Sequence, residues 1–277
     1  MLSSCDICGS GELHTIDFRA HVMECAECRY RFVNPRPTQS AIAASCSDPH
    51  AYDHWLREEE GRVLMWRKRL DLVERLAGGR RGRLLDVGAG IGTFLAQARD
   101  RGWVVSGTEV SESAIGLARE RHGLELAPGQ LEEARLDAGY WDVVTLWHVL
   151  EHVPSPAGVL RTTHQVLAPG GIVVVGVPND SGAMVLPRRL KRLLARTRFE
   201  RYEPVTPGEE VHLSHFRPQV LRRLLERTGF ETGAVSIDDH YPLPTRRTNT
   251  RVAVTRALAR LTALNLGNSL LISGRRN

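Results

Sequence analysis

No stretch of this 277-residue chain stays apolar for the ~20 residues that a helix needs to cross a bilayer, so a membrane-spanning helix is not expected. Only five cysteines are present, too few for a disulfide-dense scaffold, and pairing four of them leaves Cys46 over. Aromatic residues make up 6%, which argues against the interleaved basic and aromatic surface that grips single-stranded nucleic acid. Neither sign of charge dominates, since 37 basic and 32 acidic residues leave a formal +5. There is no repeat of fixed period and no low-complexity tract, which excludes solenoids and long disordered tails. A chain that is 42% hydrophobic at this length can bury one large α/β core and a small satellite lobe.

The richest segment is Leu84-Leu85-Asp86-Val87-Gly88-Ala89-Gly90-Ile91-Gly92-Thr93-Phe94, a buried strand that turns through glycines into a helix. Glycines let the backbone approach a ligand closely, and the helix N-terminus offers unpaired N–H groups. A dinucleotide site needs G-x-G-x-x-G, but here the third glycine comes one residue early and Thr93 takes its place. Asp86 precedes the turn by two residues and would repel a pyrophosphate. A cofactor with a cationic amino-acid end, such as S-adenosylmethionine, would welcome that carboxylate. The next strand, Trp103 to Thr108, ends at Glu109, which can accept hydrogen bonds from both hydroxyls of a ribose.

On these residues the region resembles the class I S-adenosylmethionine-dependent methyltransferases. The resemblance covers about residues 83–237 and the last ten, and implies an α/β fold, a doubly wound Rossmann-like sheet that is mainly parallel with an antiparallel final strand. Asp86, Gly88 and Gly90 match the first motif of that family, Glu109 and Val110 the ribose and adenine contacts, and Gln130 and Leu131 the adenine edge. The run Trp141 to His152 resembles the fourth strand and its following loop, so Trp147 and His148 are expected to border the cofactor. That strand does not end in the (Asp/Asn)-Pro-Pro-aromatic signature of nucleic-acid amino methyltransferases, and no cysteine stands near it for attack on a pyrimidine.

A second signal is Cys5-x-x-Cys8 followed by Cys25-x-x-Cys28, the spacing of a zinc ribbon. Four thiolates fill every position of a tetrahedral ion, so a structural Zn2+ is expected, with disulfides or redox chemistry as rival uses. No secretory leader precedes Cys5, and a reduced, cytoplasmic setting is expected. The Asn34-Pro35-Arg36-Pro37 exit resembles a methyltransferase subgroup of sugar, polysaccharide and natural-product pathways.

The organisation expected is a ribbon over 1–40, a linker and helix over 41–80, and a methyltransferase domain over 81–277 with an insertion at 178–216 and a C-terminal segment at 240–267. One helix is predicted from Trp55 to Ala77, with Val63, Leu64, Leu70, Val73 and Leu76 on its apolar face. Strands are predicted near 83–87, 103–108, 141–147 and 171–177, with helices near 91–101, 111–121 and 156–167; Gly170-Gly171 marks the turn into the strand at 171–177. A helix at Pro218–Thr228 and a final pair at 230–237 and 269–273 complete the domain.

Histidines gather where chemistry is expected, beyond the fourth strand and in the insertion. His148 and His152 lie four apart and could share a helical face, while His212 and His215 flank Leu213-Ser214. Removing an acceptor proton calls for a base of near-neutral pKa, and His152 is the first choice. Sugar C-methyltransferases of the resembled subgroup use the histidine of a Glu-His pair in this way, which implies a role for Glu151 with His152. Basic residues cluster at 188–201, on a predicted amphipathic helix, and at 246–260, where Val252, Val254, Leu258 and Leu261 could pack on a lid or another subunit. Such faces are usually solvated; an anionic acceptor such as a nucleotide-linked sugar, or a peripheral membrane contact, would also use them. Methylation of O or C on a small molecule leads, against a ribbon-bearing RNA methyltransferase and a non-catalytic cofactor-binding protein. The oligomeric state is not legible.

Overall fold

The computed structural model describes residues 1–38, 52–181, 202, 212–238, 241–242, 245–262 and 265–277. Cys46, most of the 178–216 insertion and the basic run 188–201 therefore lie outside the described residues.

Three short strands, β1 (Leu13–Asp17), β2 (Val22–Cys25) and β3 (Arg31–Val33), form the N-terminal lobe. Two helices follow, α1 (Asp53–Arg57) and α2 (Glu59–Leu76). The alternating part runs β4 (Arg83–Val87), α3 (Thr93–Asp100), β5 (Val104–Glu109), α4 (Glu112–His122), β6 (Ala127–Pro128), β7 (Trp141–Trp147), α5 (Pro156–Val166) and β8 (Leu167–Pro178). Then come β9 (Ser214–His215), α6 (Pro218–Arg227), β10 (Phe230–Thr232), β11 (Ser236–Ile237), α7 (Arg246–Thr262) and β12 (Ser269–Arg276).

The main sheet has the order β10-β12-β8-β7-β4-β5-β6, with β11 also paired to β12. Pairs from β6 through β8 are parallel, and β12 runs antiparallel to β8, β10 and β11. Alternate residues feed cores on opposite faces, as a sheet covered on both sides requires. Leu85, Val144, Val173 and Val175 enter one core with α5 and α6, whereas Leu84, Val143, Ile172 and Val174 enter the other with α2 and α3. Caps set the entry of the helices: Ser111 accepts from the Ala114 amide, and Ser155 from the Gly158 amide with Pro156 as first helical residue.

Several expectations need correction. The single helix is broken at Glu58, which lets Trp55 turn over the glycine loop while α2 continues along the sheet. Its buried face is Met65, Trp66, Arg69, Leu70 and Val73, and Leu64 is exposed. Strand β8 begins at Leu167 and passes through Gly170, absorbed by a register shift against β7. The 230–237 strand is two short strands. Residues 148–154 form a loop with His148 at φ 57°, so His148 and His152 share no helical face. Nor does the N-terminal lobe stand apart: β9 from the far side of the insertion pairs with β3, and Cys5, Cys25 and Cys28 belong to the same apolar cluster as β7 and α6. Among the described residues no helix is long and apolar enough to cross a membrane. Helix α7 carries Val254, Leu258 and Leu261 on its exposed surface.

Candidate active site

A cavity of about 540 Å³ opens at the carboxyl ends of β4, β5 and β7, a volume within the usual range for small-molecule sites. Its first half is made of backbone. Gly88 and Gly90 both have positive φ, and a Cβ on Gly88 would fall 2.7 Å from a Val149 methyl. A Cβ on Gly90 would meet the Trp55 ring at 3.3 Å, so the turn is closed from above by α1. Glu109 lies at the end of β5, where its carboxylate accepts from the amides of Gly90 at 2.7 Å, Val110 at 2.8 Å and Ser111 at 2.9 Å. Burial nevertheless pushes its carboxyl up. Two oxygens offer about four acceptor positions, so three amides leave capacity for a ligand hydroxyl. Val110, Gln130 and Leu131 line the adjoining wall.

Asp86 is placed differently from its neighbours in the glycine motif. It is 3% exposed, does not line the cavity, and accepts the Thr145 hydroxyl at 2.6 Å from beneath the turn. Burial pushes its carboxyl up to about 8, with the nearby Glu109 charge adding to the effect and the Thr145 hydrogen bond opposing it.

The second half is a chain of ionisable side chains drawn from four elements. Arg69 on α2 pairs with Asp238 at 2.5 Å, contacts His148 Nε2 at 3.2 Å, and lies 4.8 and 4.7 Å from the Trp66 and Trp147 rings. Arginine only donates, so His148 Nε2 accepts and its Nδ1 carries the proton that reaches Glu151 Oε1 at 3.2 Å. His148 thereby has both ring nitrogens engaged. Glu151 is 1% exposed; burial would raise its carboxyl, but His148, His152 and His212 hold it below the ordinary value. His152 Nε2 stands 3.9 Å from Glu151 Oε1, and its ring meets His212 edge-on at 4.9 Å. Donor atoms of Glu151, His152 and His212 fall within 4.8 Å of one another.

Of the histidines singled out by the sequence, three converge on the cavity and His215 does not: it sits on β9, its ring 4.3 Å from Tyr202. Trp147 lines the cavity at the end of β7. Pattern reading missed Trp55, Arg62, Arg69, Asp238 and Tyr241, all of which line it too. One signal was available, because Arg69 is a cation standing on the apolar stripe formed by Trp66, Leu70 and Val73.

At the ribbon, the Cys5 and Cys28 sulfurs are 3.5 Å apart and those of Cys8 and Cys25 3.4 Å, with all four within 4.8 Å and none disulfide-bonded. A Zn–S bond of ~2.3 Å in a tetrahedron sets sulfurs roughly 3.8 Å apart, so the cluster has the size of a zinc cage. Burial pushes the Cys8 thiol up to about 11, and the hydrogen bond to Cys5 pushes Cys28 upward as well.

Known proteins are similar to this chain in sequence and in fold. A ubiquinone biosynthesis O-methyltransferase of Aromatoleum aromaticum is 31% identical over 183 residues, 63% of this chain and 75% of the relative. In fold, the chain is similar to the magnesium protoporphyrin IX methyltransferase of Synechocystis, solved with bound S-adenosylhomocysteine, at TM-score 0.58 and 13% identity over 87% of this chain and all (100%) of that one. It is likewise similar to a Thermotoga maritima S-adenosylmethionine-dependent methyltransferase described as a possible histamine N-methyltransferase, at TM-score 0.54 and 20% identity over 82% of this chain and 99% of that one. Residues 52–235 match the family described as a methyltransferase domain, and the chain belongs to that family of S-adenosylmethionine-dependent enzymes.

Proposed function

We propose that the chain transfers a methyl group from S-adenosylmethionine to a hydroxyl of a small molecule, with His152 as the base that takes the hydroxyl proton. The observation that carries this reading is the division of one cavity into a backbone-lined half beside Glu109 and a histidine-lined half beside Trp147. Glu109 would hold the ribose through its remaining acceptor positions, Val110 and Leu131 the adenine, and the Gly88–Gly90 turn the amino-acid end. Asp86 would favour the cationic amine through its field from beneath the turn. The cofactor supplies an activated methyl on a sulfonium.

Proton handling falls to the other half. His148 is committed to Arg69 and Glu151, so His152 is the cavity histidine best placed to accept a proton, and Glu151 at 3.9 Å stabilises the imidazolium that results. His212 closes the ring edge and limits how far His152 can turn. The relatives named for ubiquinone biosynthesis favour oxygen as the accepting atom. The ribbon sequence favours acceptors of sugar or natural-product type. The four-cysteine cluster would hold one structural zinc ion.

Isotope transfer from methyl-labelled cofactor to a panel of phenolic and sugar hydroxyl compounds tests the reading, paired with calorimetric titration of the cofactor. His152→Ala is expected to retain cofactor affinity and to lose on the order of 10²–10⁴ in turnover. Full turnover in that variant removes His152 from the mechanism; absence of cofactor binding by the unaltered chain removes the function.

A further inference from the structure

Asp6 sits between the first two cysteines, yet its carboxylate is directed out of the ribbon. Oδ1 accepts from the Ser155 hydroxyl at 2.8 Å and Oδ2 from the Ala157 amide at 3.0 Å. Ser155 in turn accepts from the Gly158 amide at 3.0 Å, and Pro156 has no amide hydrogen to satisfy. The first-turn donors of α5 are thus shared between the helix's own cap and the ribbon. Helix α5 starts just past the 148–154 loop, which carries His148, Glu151 and His152.

The ribbon also reaches this loop from its other end. Strand β3 pairs Phe32 with Ser214 and Arg31 with His215, and the Tyr30 hydroxyl contacts the Ser214 hydroxyl at 2.6 Å. The amides of Leu213 and Ser214 donate to the Glu151 carbonyl at 2.6 and 3.1 Å. His212, one residue before Leu213, is therefore delivered to His152 by a segment that the ribbon sheet anchors. Tyr30 is fully buried and stacks on Phe32 and Phe216, so this anchor has little freedom to drift.

We propose that the ribbon is part of the frame of the active site, with Asp6 and Tyr30 as positioning residues that fix the 148–154 loop and the approach of His212 to His152. The proposal rests on reading that loop as the acceptor side of a methyltransferase cavity. A ribbon serving only as a stabilising appendage would need neither a carboxylate capping α5 nor a fourth strand taken from the far side of the insertion.

The test compares the full-length, metal-loaded chain with Asp6→Ala, Asp6→Asn and Tyr30→Phe, after metal analysis shows equal zinc content. Hydrogen exchange is read at amides 148–159, in α3 and in β2, and the His152 and His212 rings are followed by their NMR chemical shifts at fixed pH. Asp6→Ala is expected to speed exchange at 148–159 on the order of tenfold, the effect of losing a helix cap, and to displace the His152 ring resonances. Exchange in α3 and β2 is expected to stay unchanged, Asp6→Asn to fall between, and Tyr30→Phe to displace the His212 ring resonances. Unchanged exchange and resonances in Asp6→Ala overturn the proposal, and so does acceleration that is equal in all three regions. A chain that fails to bind S-adenosylmethionine removes the functional reading on its own, without altering these exchange rates.

Discussion

The two halves of the cavity are built by opposite means. On the cofactor side, a turn of positive-φ glycines and three backbone amides converge on one carboxylate, and the parts come from neighbouring strands β4 and β5. On the proposed acceptor side, each ionisable group is held by the next, from Asp238 through Arg69 and His148 to Glu151, and the first contact joins residues 169 apart in sequence. Backbone geometry tolerates change in the surrounding side chains. A chain of buried charges does not, because removing one member strands another. The difference suits an enzyme that keeps a common cofactor and adapts to a particular acceptor.

Arg69→Met should break this contrast most visibly. It takes the Arg69 cation away from Asp238, 1% exposed at its side chain, and the expected loss is about 3–5 kcal/mol of stability in denaturant unfolding. The same change frees His148 Nε2, so the His148 ring loses one of its two fixed contacts. A loss below about 1 kcal/mol would mean that the acceptor side is not a coupled chain. Glu109→Gln should have the next largest effect, confined to the other half. It removes the ionised acceptor that three amides and the ribose would share, and cofactor affinity should fall by about 30- to 150-fold in calorimetry. Unaltered affinity would move the ribose away from Glu109.

The same contrast explains what could be read from the sequence. The strand, the glycine turn and Glu109 lie close along the chain, so their spacing reports their meeting, whereas Val110, Gln130 and Leu131, which line the same cavity, are implied by the family resemblance. The parallel sheet is legible in the alternation of strand and helix segments, whereas the antiparallel last strand is implied by the family resemblance alone. Arg69 and Asp238 were not legible, since nothing local marks a residue on α2 as the partner of one beside β11. His215 misled for a related reason: its neighbour His212 faces the cavity, but a strand turns successive side chains to opposite sides, and pairing with Arg31 commits His215 to the ribbon sheet. The four-residue spacing of His148 and His152 is compatible with a shared helical face and equally with a turn, and the positive φ of His148 distinguishes them.

Asp86 tests the contrast from inside the proposed cofactor half, where its carboxylate is held by the neutral Thr145 hydroxyl and the Arg69 charge only partly opposes the effect of burial. Its pKa stands near 8 in the folded chain against 3.8 for the ordinary side chain, chiefly through burial. Below about pH 4 both states hold the proton and the residue contributes no pH dependence. As pH rises toward 8 the unfolded chain releases that proton while the folded chain keeps it, so folding stability falls across this window. Asp86→Asn keeps an acceptor for the Thr145 hydroxyl and removes the titration. The ligand-free variant is therefore expected to gain on the order of 2 kcal/mol over the parent chain near pH 8, and to gain nothing from this source near pH 4. Unfolding curves across that range measure it. Saturating S-adenosylmethionine should shrink the gain, because a cationic ligand stabilises the ionised carboxylate that only the parent chain possesses. A difference that stays flat with pH would mean that Asp86 is already ionised in the empty site, and that the cofactor half contains a neutralising partner of its own.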